Sequence, residues 1–305
     1  MSSLGRQQGR EPPQSTGARL AELSTRDHAT VYEPPSFARV APLAALARLV
    51  QARDLLFTLS AHRVSVRYKQ SRLGILWAVV QPVSMMIAFT LMFAFLRTTP
   101  SGAVPFPLFA YAALIPWTML STGLTTATTA LTSHAALLTK VWFPREILPL
   151  TYVAAALLDM SVASMVLVGL LVWYRVPVTA AAWWVIPSVV VLIGLVTGLG
   201  LLLSAVQVRY RDVGLAMPVL VQVWLFATPV LYPLSAVKSA LPPAIYALYL
   251  LNPMAGIVDG IRRALVLHLR PDVDALAVSA GVVVILLPAA YVYFKYTELT
   301  MADRV

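Results

Sequence analysis

The sequence predicts an all-α membrane protein: six transmembrane helices, an N-terminal amphipathic interface helix and outer re-entrant half-helices. Three observations carry this. Charged residues make up only 12% of the 305-residue chain and hydrophobic residues 59%, where a soluble domain carries about 25% charged residues. Mean hydropathy is +0.77. The stretch Leu73–Leu96 carries no charge and directly follows the basic cluster Arg63, Arg67, Lys69 and Arg72. A helix of about 20 apolar residues crosses a bilayer core, and a cationic flank fixes which way it points.

Residues 1–40 are polar and rich in Pro, Gly and Arg, with no apolar core near Met1. They read as a disordered cytoplasmic tail and not as a signal peptide. Pro42–Ser60 reads as an amphipathic helix. Leu43, Leu46, Leu49, Val50, Leu56 and Leu59 recur at helical spacing, with Arg48, Gln51, Arg53 and Asp54 between them. It is too charged to span. It either lies in the cytoplasmic interface with its arginines toward headgroups, or packs on the bundle as a short cytosolic helix. Residues 41–72 thus form an interface helix and a basic gate segment.

The expected spans are Leu73–Leu96, Phe106–Ala130, Ile147–Trp173, Trp183–Val206, Gly214–Tyr232 and Ala275–Phe294. Between the last two, residues 233–274 contain the apolar run Leu241–Leu251, which is too short to span and is interrupted by Pro242 and Pro243. Such a run suits re-entrant half-helices buried in protein. The six-span domain then covers 73–297, and residues 298–305 form a short C-terminus. An even number of spans puts both termini on one side. With that side cytoplasmic, 17 of the 23 Lys and Arg face inward, as the positive-inside rule requires.

The chain has no cysteine, which excludes disulfides, zinc clusters and thiol catalysis. No GxxxxGK[ST] loop surrounds Lys69, Lys140, Lys238 or Lys295, and no GxSxG elbow occurs. His28, His62, His134 and His268 lack metal-ligand spacing. No catalytic residue, metal site or cofactor is expected in this chain. The net charge of +10 does not indicate nucleic acid, because the cations gather beside spans.

Four segments carry a resemblance: RYKQSRLGILWAVVQP (Arg67–Pro82), KVWFPREILPL (Lys140–Leu150), VRYRDVGLAMPVLVQVWLFATPVLYP (Val208–Pro233) and LLNPMAGIVDGIRRAL (Leu250–Leu265). In order and spacing, over residues 45–297, they resemble the type-2 ABC exporter permeases of the polysaccharide group. That family includes the membrane subunits of O-antigen, capsule, teichoic-acid and galactan exporters. The resemblance implies a homodimer in the bacterial inner membrane, paired with two separate ATPase subunits that bind ATP and Mg. Its substrate would be a glycan on an undecaprenyl-pyrophosphate carrier. A permease for drugs or small lipids is the alternative, and a proton-coupled transporter, which needs more membrane acids, is a weaker one.

The resemblance assigns candidate roles. The segment 133–146 would be the coupling helix seated in the ATPase, with Leu137, Leu138 and Phe143 as apolar anchors. Lys140, Arg145 and Glu146 would make its polar contacts, and Pro144 its stop. Arg63, Arg67, Lys69 and Arg72 would hold the lipid pyrophosphate, or serve only topology and anionic headgroups. Trp77, Phe89, Phe93, Trp117, Trp224 and Phe226 are candidates to line a glycan channel, against which stand interfacial belts for those near span ends and lipid-facing or core positions for the rest. Tyr232, Tyr246 and Tyr249 would form the outer gate. Asp159 is the one acid deep inside a span, either a relay or a polar lock between helices. Arg262 and Arg263 break the charge rule, which either a salt bridge with Asp259 or contacts with outer-leaflet headgroups would explain.

Overall fold

A computed structural model of the protein describes residues 53–69, 71–96, 100–102, 104–134 and 144–301. The tail 1–40 and the first part of the expected amphipathic helix lie outside the described residues. So do Leu137, Leu138, Lys140 and Phe143. All regular structure among the described residues is helical.

Helix α1 spans Arg53–Lys69. It runs nine residues past the expected end at Ser60 and takes up much of the basic segment. A 3-10 turn, Gly74–Leu76, leads into α2, Trp77–Phe95. Then come α3 (Phe106–Thr128), α4 (Ile147–Trp173) and α5 (Val185–Arg209), the last entered through a 3-10 turn at Ala180–Trp184. Helix α6 is Asp212–Ala227. Three short elements follow: α7 (Leu234–Ala240), α8 (Pro243–Tyr249) and α9 (Pro253–Leu265). Helix α10, Val273–Met301, closes the described chain.

Five stretches are long and apolar enough to cross a membrane: Gly74–Phe95, Phe106–Thr128, Ile147–Trp173, Ala180–Arg209 and Val273–Glu298. The expected fifth span, Gly214–Tyr232, differs. Its helix is 16 residues long and stops at Ala227, about 24 Å of helix. The reason is local. Thr228 precedes Pro229, whose ring disfavours helical geometry in its neighbour, and Thr228 is extended at φ −106°, ψ 142°. Helices α8 and α9 form a broken pair, bent by 88°.

Helix α3 is the hub and packs on α2, α4, α5, α6 and α9. Of its most apolar window, 78% is buried, against 6% for α2. A central helix does not face lipid, so α3 tolerates Thr118, Thr122, Thr125 and Thr128. The hydroxyls of Thr118, Thr125 and Thr128 donate to carbonyls three or four residues back.

Helix α9 is buried along almost its whole length. It lies against α5 and α10, and two glycines four residues apart permit this. A Cβ on Gly256 would overlap Ala275 O and Ser279 Oγ, and one on Gly260 would lie 2.8 Å from Ser188 Oγ. Small residues at this spacing let helix backbones approach closely.

Candidate functional site

At the end of the bundle where α4 begins, Glu146 is 2% exposed. Its Oε2 accepts from Lys295 Nζ at 2.8 Å, and the same ammonium donates to Glu298 Oε2 at 2.8 Å. Arg145 Nη1 donates to the backbone carbonyl of Glu298, also at 2.8 Å. Both side chains are thus engaged with α10. A carboxylate this buried needs an ion pair, and the pairing cation comes from α10. The end of the 133–146 segment is therefore fastened to the last helix. Pro144 is partly exposed just before it.

The basic cluster separates. Arg63 is half-buried, with its guanidinium 3.7 Å from the centroid of the Tyr152 ring. His134 meets the same ring edge-on at 6.2 Å, and its Nδ1 is 3.1 Å from Ala130 O. Burial, and next the positive charge of Arg63, hold the His134 imidazole below its ordinary pKa. Lys69 and Arg72 are exposed. The Arg67 side chain lies outside what is described. Arg63 is thus committed to a cation–π contact on α4 and is not a freely projecting headgroup ligand.

Five residues along α1, Tyr68 donates its hydroxyl to Asp159 Oδ1 at 2.7 Å. Arg63 and Tyr68 meet α4 at Tyr152 and Asp159 in the same order, so α1 runs beside α4 in the same sense. Asp159 is the thirteenth residue of α4, about 18 Å along it. Helix α1 leans along a spanning helix instead of lying flat across its end. Asp159 itself is only partly buried, which corrects the expectation of a buried acid. It faces a cavity of about 560 Å³ between α1, α2, α3 and α4.

The aromatic candidates divide by exposure. Trp77 is 50% exposed and Phe226 58%. Phe89 and Phe93 pack partly against the core, Phe93 on Phe106 at 4.8 Å. Trp117 is 3% exposed and lies in the core. It packs edge-on against Trp224 at 6.1 Å. Trp224 is partly covered, and its Nε1 donates to Asn252 Oδ1 at 3.0 Å.

Asn252 is a structural joint that the sequence reading passed over. Its Oδ1 also accepts from Met254 N, capping α9, and its Nδ2 donates to Ala227 O and Thr228 Oγ1. One side chain thus joins the last turn of α6 to the first turn of α9. The available signal was Asn-Pro ahead of an apolar run, an N-cap followed by proline at the first helical position.

At the other end of the bundle the three tyrosines do gather. The Tyr232 and Tyr249 hydroxyls are 3.4 Å apart, and Tyr232 donates to Phe226 O at 2.9 Å. Tyr246 packs with Tyr249 against Leu234, Leu250, Ala255 and Ala275. Arg262 is wholly buried beneath them. It donates to Val230 O and Tyr232 O at 3.2 Å each, stacks 4.0 Å from the Phe109 centroid and pairs with Asp259 at 3.7 Å. Arg263 shares Asp259 at 3.7 Å. The salt bridge expected from the charge-rule departure is therefore present, and Arg262 clamps the 228–232 turn to α9.

Comparison with known proteins places this geometry. The model of the ABC-2 type transporter family matches residues 54–266. The O-antigen export system permease protein RfbA of Myxococcus xanthus is 33% identical over 262 residues, covering 84% of this chain and 97% of the relative. The RfbA permease of Klebsiella pneumoniae is 25% identical over 206 residues, 67% of this chain and 77% of the relative. The polysialic acid transport protein KpsM of Escherichia coli is 27% identical over 212 residues, 66% and 77% respectively. With a match over most of its length and an all-helical, multi-pass architecture, the chain belongs to the ABC-2 type transporter family.

Proposed function

We infer that this chain is the membrane-spanning permease subunit of an ATP-driven exporter that moves a lipid-linked polysaccharide out of the cytoplasm. The observation that carries the reading is the 33% identity along 97% of an O-antigen export permease. The carrier is undecaprenyl pyrophosphate, and the site is the bacterial inner membrane with both termini cytoplasmic. ATP and Mg bind to a separate pair of ATPase subunits, and two copies of the permease enclose the path. The lack of any phosphate-binding loop supports this division of labour.

The coupling element is the 133–146 segment. Its fastening through Arg145 and Glu146 to Glu298 and Lys295 offers a rigid route from the ATPase to α10. Trp77 and Phe226, both exposed on apolar helices, are the better channel candidates. The tyrosine cluster at 232, 246 and 249 is the outer gate. Among the described side chains of the basic cluster, Lys69 and Arg72 are exposed and can meet a pyrophosphate.

Affinity capture of the tagged protein from its native membrane tests the reading. A Walker-A ATPase should co-purify stoichiometrically, and deletion of the gene should abolish surface display of the glycan. Capture of no ATPase under mild detergent would overturn it.

A further inference from the structure

Helix α10 is fastened at both ends of the bundle. At one end, Lys295 Nζ donates to Glu146 Oε2 and Arg145 Nη1 to the Glu298 carbonyl, each at 2.8 Å. Phe294, wholly buried, shares a cluster with Leu131 and Leu148, which flank the 133–146 segment on either side. Helix α10 thus holds both roots of that segment. Ala275 and Lys295 are twenty residues apart on the same helix, about 30 Å. At that far end Ala275 is 1% exposed and packs with Leu234, Leu250 and Ala255, the cluster on which Tyr246 and Tyr249 rest.

The two fastenings differ in kind, and neither gives way easily. At the 146 end the contacts are buried and ionic, so parting them exposes uncompensated charge. At the 275 end the contact is backbone on backbone: a Cβ on Gly256 of α9 would overlap Ala275 O. With no side chain between the two helices, no rotamer change absorbs a shift of α10, and α9 has to follow. Helix α9 in turn holds the tyrosines. Arg262 donates to Val230 O and Tyr232 O, and the Tyr232 and Tyr249 hydroxyls are 3.4 Å apart. Between its ends α10 runs through Pro288 as one helix. A continuous element packed tightly at both ends is a physical route for coupling distant sites.

We propose that α10 is a connecting rod: displacement of Arg145 and Glu146 moves α10, and α10 moves α9 and with it the Tyr232–Tyr249 contact at the opposite end of the bundle. The proposal rests on the reading of residues 133–146 as the coupling element and of the tyrosines as the outer gate, and it names the element that joins them.

The test uses cells that depend on this gene for surface glycan. The chain has no cysteine, so Leu250→Cys places a single reporter beneath the tyrosines, where Leu250 is 8% exposed. A membrane-impermeant maleimide reads its labelling rate from outside, in energised and in ATP-depleted cells. The two rates are expected to differ severalfold. Val284→Gly with Ile285→Gly softens α10 midway, at exposed positions that touch neither fastening, and should remove the difference. Met165→Gly with Val168→Gly, also exposed but on α4, should leave it. Lys295→Met frees the rod at the 146 end and should remove it too. A difference that survives the α10 glycines or Lys295→Met, or that vanishes equally with the α4 glycines, would overturn the rod. Equal rates in the unaltered reporter strain, with its surface glycan still dependent on the gene, would overturn the rod and leave the exporter reading intact. Surface glycan that does not depend on the gene at all would instead overturn the exporter reading.

Discussion

Lys295 Nζ lies 2.8 Å from Glu146 Oε2 and joins positions 149 residues apart. The two side chains are 13% and 3% exposed, so neither charge is well solvated. Removing one partner of a buried pair leaves the other uncompensated, at a cost of about 3 kcal/mol or more. Lys295→Met is expected to lower the unfolding midpoint of the purified protein markedly. The double variant Lys295→Met with Glu146→Leu should recover much of the loss. A single variant as stable as wild type in a thermal melt would show that the pair contributes nothing.

Asn252 serves four groups at once. Asn252→Ala removes an N-cap, about 1 kcal/mol, and orphans the Trp224 indole N–H, about 1–3 kcal/mol more. Asn252→Asp keeps the acceptor and loses the donors to Ala227 O and Thr228 Oγ1, so it should fall between Ala and wild type. Thermal melts order the three proteins, and a red shift of tryptophan emission in the Ala variant would report the freed indole.

Gly256 and Gly169 should respond oppositely to alanine. At Gly256 a Cβ meets the backbone oxygen of Ala275, which cannot move aside, while at Gly169 nothing lies within 4 Å. Alanine gains up to about 1 kcal/mol of helix propensity at either site. Overpacking at Gly256 costs about 1–3 kcal/mol and wins. Gly256→Ala should therefore destabilise, and Gly169→Ala should be neutral or stabilising. Equal melting temperatures for the two variants would contradict the close approach of α9 to α10.

His134 gives a pH dependence with a defined sign. Burial and the charge of Arg63 lower its folded pKa beneath the ordinary 6.5. The folded state thus favours the neutral ring, and the unfolded chain takes up the proton first as pH falls. This contribution is constant above pH 6.5 and is lost as pH drops below it. His134→Gln should flatten that part of the stability curve. An unchanged slope between pH 7 and 5 would assign the dependence elsewhere.

How much of this was legible in the sequence depended on the range of the interaction. Leu73–Leu96 and Ile147–Trp173 declare themselves because hydrocarbon demands an uninterrupted apolar run, and the helices found there agree within a few residues. The end of α6 was misplaced because the apolar run continues past Thr228, while the chain obeys the steric demand of Pro229. Glu146 was taken for a surface contact because its partner, Lys295, is remote in sequence and nothing local reveals it. Trp117 looked like a channel residue because composition does not say which side of a helix faces the core. Asp159 was singled out correctly as unusual, but its setting depended on Tyr68, 91 residues earlier.

That separation bears on how the protein is made. Helix α1 is anchored by Arg63 on Tyr152 and Tyr68 on Asp159, and both anchors lie on α4. At 5–20 residues per second, α4 leaves the ribosome about 5–20 s after α1. During that interval α2 and α3 must enter the bilayer while the segment ahead of them waits without its dock. Seating α1 is therefore a late step in biogenesis. A Tyr68–Asp159 contact trapped on stalled nascent chains would mark the moment when the third hydrophobic segment has inserted.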